Sequence, residues 1–322
     1  MGGATTRRTW RFLRTTFMTA TFAAIDVGTN STNLLVIDGN GTELTRIITS
    51  TRLGEGLQST GELSLDAMTR TTEVITSYVA NARSLGATNI QIVGTAACRR
   101  ARNTAVFTEL LQKQTQLTLE VLSESDEAAL TFSGALIGLP VIDTPTLVID
   151  IGGGSTEYTV GTHSIEVFAS IPFGAVTSTD SHISSDLPRP EDLTNLIGAV
   201  SDELEDITRD HPIVGTPMRV VGVAGTIVTI AAVELGLHEF DDTALHGMAL
   251  SREAAEDVFR TVATEPLALR VQNPGLAPDR ADIIVAGCCI LVATMRRLHL
   301  SEITVSTRGL LDGVASRVRL NS

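Results

Sequence analysis

An aspartate closing an apolar run, then small and hydroxyl residues, then a second apolar run, occurs twice in this chain. Residues 25–32 read IDVGTNST and residues 149–156 read IDIGGGST. The pattern predicts strand, tight turn, strand, with Asp26 and Asp150 placed at strand ends to hold a metal or orient a water. Glycines let a backbone approach a ligand closely, and successive N–H groups of such a turn can face an anion. The first turn offers Gly28, Thr29, Asn30 and Ser31. The second offers Gly152, Gly153, Gly154 and Ser155, with Glu157 just beyond. Three glycines weaken a hairpin, a cost that close approach to a ligand accounts for. Two such turns half a chain apart predict a duplicated domain with phosphate clamped between the halves.

Other groups acquire meaning from that company. Gly222-Val223-Ala224-Gly225-Thr226 lies between an apolar strand and a predicted helix. Gly225 and Thr226 there are either a packing pair or a loop presenting free N–H groups to phosphate. Asp126-Glu127 at a helix start supplies a candidate general base, Glu127. A lone acidic pair at that position would be explained by the helix dipole alone; the two phosphate turns tip the reading toward catalysis. Arg99, Arg100 and Arg102 form the densest basic cluster, and arginine is the better bidentate partner for phosphate oxygens. His246 reads as structural. Arg280 and Asp282 form either an ion pair in the cleft or a surface pair, and Cys288-Cys289 reads as core.

The elements that must position these residues follow from periodicity and turn signals. Strands are expected at 22–27, 31–37, 42–50, 90–95 and 118–122, and helices at 64–85, 104–115 and 123–138, with 96–103 as an arginine-bearing loop. The second half repeats the theme. Strands fall at 146–151, 156–161, 165–171, 218–223 and 302–306, and helices at 190–209, 225–236, 251–263, 279–298 and 308–319. Residues 178–190 read as an exposed loop. This is an α/β architecture with mixed sheets and a central cleft. The expected divisions are a first domain at 20–142, a second at 143–305 and a C-terminal helix within 306–322 that packs back on the first.

Composition narrows the function. A net charge of −13 argues against nucleic-acid binding through bulk electrostatics. No apolar run is long enough to span a bilayer, so no membrane role is expected. Cys98, Cys288 and Cys289 have neither metal-ligand spacing nor a disulfide framework, which fits a reducing, cytoplasmic setting. Residues 1–17 hold four arginines and no acid, and a second methionine follows at 18. Residues 1–19 are therefore expected to be a disordered tail or an over-extended start.

The order AAIDVGTNSTNLLV, TRLGEGL, VGTAACRRARN, SESDEAAL, LVIDIGGGSTE, GVAGT, HG and RADIIVAG resembles the exopolyphosphatase / guanosine pentaphosphate phosphohydrolase (Ppx/GppA) family across nearly all of residues 20–316. The resemblance implies duplicated RNase H-like domains of the actin-like ATPase superfamily, in the short two-domain form. It assigns Glu127 to water activation, Arg99 to the phosphate chain, and Asp26, Asp150 and Glu157 to a divalent metal, Mg²⁺ or Mn²⁺. The turns 28–31 and 152–155, with Gly225 and Thr226, would hold phosphates. Relatives are often dimers, so a homodimer is allowed. The chain departs from the family's C-terminal signature at Thr307, where an acid is usual, and at Leu311, where a base is usual, so weaker cleft closure is expected.

The implied reaction is metal-dependent removal of terminal phosphate from inorganic polyphosphate, with short chains expected because the longer members' extra domains have no counterpart here. The first alternative is guanosine pentaphosphate, a stringent-response alarmone; with two tyrosines and one tryptophan the chain offers few residues to stack a base. An actin-like kinase would not need the arginine loop or Glu127. A weakly catalytic polyphosphate or alarmone sensor rests only on the altered C-terminal signature.

Overall fold

The computed structural model describes residues 20–217 and 219–321, so the expected tail at 1–19 lies outside the described residues. The first half runs β1 (Thr21–Val27), β2 (Ser31–Ile37), β3 (Glu43–Ser50), α1 (Leu57–Thr60), α2 (Leu65–Ser84), β4 (Ala87–Gly94), α3 (Ala96–Arg100), α4 (Thr104–Thr115), β5 (Leu119–Val121) and α5 (Glu124–Ala135). The second opens with β6 (Thr146–Ile151), β7 (Thr156–Gly161), β8 (Ile165–Ile171), α6 (Ala175–His182), α7 (Pro190–Asp210), β9 (Arg219–Val223) and α8 (Ala224–Glu234). It continues with α9 (Asp242–Leu245), β10 (Ala249–Ser251), α10 (Arg252–Thr264), α11 (Leu267–Arg270), α12 (Ile284–Arg297), β11 (Glu302–Val305) and α13 (Leu310–Leu320).

The two sheets carry one plan. The first has the order β3-β2-β1-β4-β5, and the second, read from its matching edge, β8-β7-β6-β9-β11-β10. In each, three strands form an antiparallel meander, and the first strand then pairs in parallel with the fourth. Only β10, antiparallel to β11 at the far edge, has no counterpart. This is a duplicated RNase H-like fold.

β1 and β6 are apolar on both faces because both faces are covered. One face of the first sheet meets α2 and α4 through Ile25, Leu34, Ile75, Phe107 and Leu111. Its other face meets α13 through Phe22, Ala24, Leu35, Val314 and Val318. In the second half, helices including α7, α8, α10 and α12 bury one face, while Phe132 and Ala135 of α5 lie on Val148 and Val221 of the other. Thus α5 and α13 fill the space between the sheets. They cross so closely that a Cβ on Gly134 would collide with the Gly309 carbonyl, and one on Gly313 with that of Leu130.

Ser64 and Ser123 cap α2 and α5, accepting from the Ala67 and Asp126 N–H groups at 3.1 Å each. Three expectations change. Residues 96–100 of the supposed loop form α3, because Ala96, Ala97 and Cys98 are buried and a helical turn is the way to bury them together. Residues 175–182 form α6, so the exposed loop shrinks to 183–189; Thr179 and Ser181 bond back to helix carbonyls rather than breaking the helix. The helix expected at 279–298 starts only at Ile284, after a 3₁₀ turn at Pro278–Arg280.

Candidate active site

Both copies of the repeated phrase fold into the same turn. The Gly28 N–H donates to the Ser31 carbonyl at 2.9 Å, and that of Gly152 to Ser155 at 3.0 Å. The segment TRLGEGL fastens the first turn: Thr51 and Arg52 N–H groups donate to the Asn30 carbonyl at 3.0 and 2.8 Å, and Gly54 to Thr29 at 2.9 Å. Position 54 must be glycine because a Cβ would strike the Thr29 methyl. The second turn is fastened from α6, whose Ala175 and Val176 N–H groups donate to the Gly152 and Gly153 carbonyls at 2.9 Å. Arg100 adds a bond to the Gly154 carbonyl at 2.9 Å. With their carbonyls turned away into these bonds, the N–H groups of Thr29, Asn30, Gly153 and Gly154 have no acceptor among the described residues.

Between the sheets lies a cavity of about 500 Å³. Both turns line it, Gly28 to Ser31 from one side and Gly152 to Ser155 from the other, and Gly225 and Thr226 line a third wall. Ala224 holds a left-handed backbone, φ 68°, to start α8 there. A non-glycine residue in that region carries strain of order 1–3 kcal/mol, the kind found at ligand clamps.

Asp26, Glu127, Asp150 and Glu157 all line the cavity. The strand register explains three of them: Asp26 faces Asn33 across β1–β2, and Asp150 faces Glu157 across β6–β7. Burial, with the negative charge of Glu127 added, pushes Asp26 up to about 7, although Asn33 donates to it at 3.1 Å. Burial and Glu127 likewise lift Glu157 to about 7, against a hydrogen bond from Ser170 at 3.2 Å. Burial and the neighbouring acids raise Asp150 as well. The Oδ1 atom of Asp26 is buried with no hydrogen-bond partner among the described residues.

Four crowded carboxylates, one with an orphaned oxygen, suit a hard divalent cation. Among the described residues no three His, Cys, Asp or Glu side chains converge as a finished ligand set.

Arg99 is placed differently from the expectation. It pairs with Glu127 and donates to the Leu122 carbonyl at 3.2 Å, and it is absent from the cavity lining. The helical turn of α3 sends Arg99 toward α5 while Arg100 points to the second hairpin. The side chain of Arg99 thus lies on Glu127 and not in the cavity lining. Burial raises Glu127, and the Arg99 guanidinium partly holds it down. His246 contacts Thr307 and lies beside Gly138, outside the cavity, and Cys288 and Cys289 are core.

Sequence reasoning underrated Arg280. It lines the cavity against Gly225, where a Cβ would collide with its guanidinium, and has no ion-pair partner among the described residues. Asp282, its supposed partner, pairs instead with Arg52 at 2.8 Å. Burial disfavours the Arg280 charge, so an anion beside it would be strongly held. Arg46 and Arg308 also line the cavity, but Asp312, which pairs with Arg46, and Asp242, which pairs with Arg308, lie 266 and 66 positions away in sequence, where no local pattern could reveal them. Ile48 and Phe240, 60% and 62% exposed, reach the same cavity from opposite halves.

A duplicated RNase H-like fold whose two hairpins present free N–H groups beside buried carboxylates defines a phosphate-handling protein. The chain belongs to the Ppx/GppA phosphatase family, whose sequence model matches residues 35–321. It is 31% identical over 312 residues to exopolyphosphatase 2 of Mycobacterium tuberculosis, covering 91% of this chain and 97% of that one. It is 29% identical to the guanosine-5'-triphosphate,3'-diphosphate pyrophosphatase of Vibrio atlanticus, covering 91% of this chain but 58% of that protein. Among solved structures, an exopolyphosphatase-like protein superposes with a TM-score of 0.87 at 27% identity, covering 94% of this chain and 99% of that one. The Ppx/GppA family member of Aquifex aeolicus superposes at 0.78 with 27% identity and the same coverage.

Proposed function

We propose that this phosphatase-family chain hydrolyses the terminal phosphoanhydride of short inorganic polyphosphate with a divalent metal, Mg²⁺ or Mn²⁺, bound among Asp26, Asp150 and Glu157. The observation that carries the reading is the shared cavity, in which half-buried Glu127 stands with two turns whose N–H groups have no acceptor among the described residues. Phosphoryl transfer demands positioning and charge stabilisation more than covalent chemistry. The N–H groups of Thr29, Asn30, Gly153 and Gly154 hold equatorial phosphate oxygens. Arg280 takes the charge of the adjoining phosphate. Glu127, steadied by Arg99, orients the attacking water and accepts its proton. A bound divalent cation supplies neutralisation of the charge on the transferring and leaving oxygens.

A second substrate, guanosine pentaphosphate, is favoured by one observation. Ile48 and Phe240 are exposed apolar side chains on opposite sides of the cavity, and together they could cover a base. The test is orthophosphate release with Mg²⁺ from tripolyphosphate, long-chain polyphosphate, guanosine pentaphosphate and ATP in parallel. Release from tripolyphosphate at the highest kcat/KM supports the first reading. Release confined to guanosine pentaphosphate replaces it with the second.

A further inference from the structure

One wall of the cavity is a cluster of mutually satisfied charges. Arg46 of β3 donates to Asp312 at 2.5 and 3.3 Å and to Glu43 at 3.0 Å. Arg308 lies 2.7 Å from Asp242 and 3.8 Å from Glu43. The Thr307 hydroxyl donates to Asp242 at 2.5 Å, and the Gly309 N–H to Asp312 at 3.0 Å. Two guanidiniums thus face three carboxylates, a formal surplus of one negative charge. Arg46 and Asp312 side chains are only 15% and 8% exposed.

The strand register fixes where this wall stands. Ile48 faces Asn33, which faces Asp26, while Arg46 faces Leu35. The wall therefore begins two residues from the Asp26 level along β3, about 7 Å at the usual rise. That leaves little depth for a chain of phosphates in this direction. Arg280, in contrast, lines the cavity without an ion-pair partner among the described residues.

We propose that this cluster determines chain length: it closes one end of the cavity to a polyanion, so that the site takes short polyphosphate and discriminates against long chains. The inference rests on the polyphosphate reading. A long chain running toward this wall meets Glu43 and Asp312, with both arginines already engaged, Arg308 by Asp242 from behind the lining. For Arg46 to turn to phosphate, buried Asp312 would lose its partner, which is strongly unfavourable, while Arg308 is held by Asp242 and Glu43 together. The same cluster performs the closing contact that the departures at Thr307 and Leu311 put in question, since Asp312 ties α13 to β3.

The test replaces two acids that are each 40% exposed and so tolerate change: Glu43→Gln with Asp242→Asn, and each alone should the double variant fold poorly. kcat/KM is measured for tripolyphosphate and for long-chain polyphosphate with Mg²⁺. Removing the repulsion and freeing Arg308 should raise the long-to-short ratio about tenfold, with tripolyphosphate held within about twofold, as expected for a local field acting on a polyanion. Turnover of both lengths with an unchanged ratio in every variant overturns the inference. Turnover of neither length by the unsubstituted protein overturns the polyphosphate reading itself, and the inference with it.

Discussion

Arg99→Met separates two roles that one arginine could play. Arg99 and Glu127 side chains are 17% and 13% exposed, too buried for the small worth of a surface ion pair. Removing one partner of a buried pair costs about 3–5 kcal/mol while the other stays ionised. Glu127 escapes that cost by taking a proton. Burial already raises it and Arg99 holds it down, so the substitution removes the lowering influence. That cost sets the ceiling on the further rise. A base that ionises later needs higher pH to work, so the acid limb of kcat/KM for orthophosphate release should move upward. Much of the lost rate should return by alkaline pH, and Arg99→Lys should show a smaller displacement. An equal loss at every pH, with the limb unmoved, would refute the positioning role and return Arg99 to direct contact with phosphate.

Other consequences follow from the same geometry. Arg280→Ala should raise KM for tripolyphosphate about 10- to 100-fold with little change in kcat, the worth of one charged hydrogen bond; an unaltered KM would remove Arg280 from the substrate site. Asp26 and Glu157 are raised to about 7 in the fold, from about 4 when unfolded. The folded state thus binds more protons than the unfolded one between those values, and the metal-free protein loses stability as pH rises from about 4 through 7. Thermal melts should show that decline, Asp26→Asn should flatten it, and Mg²⁺ should raise Tm more at pH 8 than at pH 5; a rising apo stability across that range would contradict the charge crowding. Gly134→Ala should destabilise by at least about 1–3 kcal/mol in urea unfolding, as overpacking does, because its Cβ meets the Gly309 backbone rather than a movable side chain. A variant of normal stability would show that α5 and α13 do not press together there.

The parts of the site legible in the sequence are those written locally. Asp26 and Asp150 end strands, the glycines and hydroxyls that follow make turns, and both facts show in eight consecutive residues. The duplication was legible because both halves retain that phrase, and the two sheets do share one strand order. Glu127 gains meaning only from its company, and its pairing with Arg99 depends on α3, a single short turn of helix whose three small or apolar residues carry no helical periodicity. Arg46 and Asp312 stand 266 positions apart, and the crossing of α5 and α13 that brings β3 near the last helix has no local signature. Arg280 was visible as a charge, but its lack of a partner is a property of the folded cavity.

The central claim is that half-buried Glu127, beside two turns proposed to bind phosphate, acts as the base that hydrolyses a terminal phosphoanhydride. The most direct measurement is orthophosphate release from tripolyphosphate with Mg²⁺ by the protein and by Glu127→Gln, with substrate binding titrated alongside. The account predicts a loss of about 10²–10⁴ in kcat, as expected for a missing general base, while the dissociation constant changes little. Binding lost in proportion to turnover, or turnover retained, would contradict it.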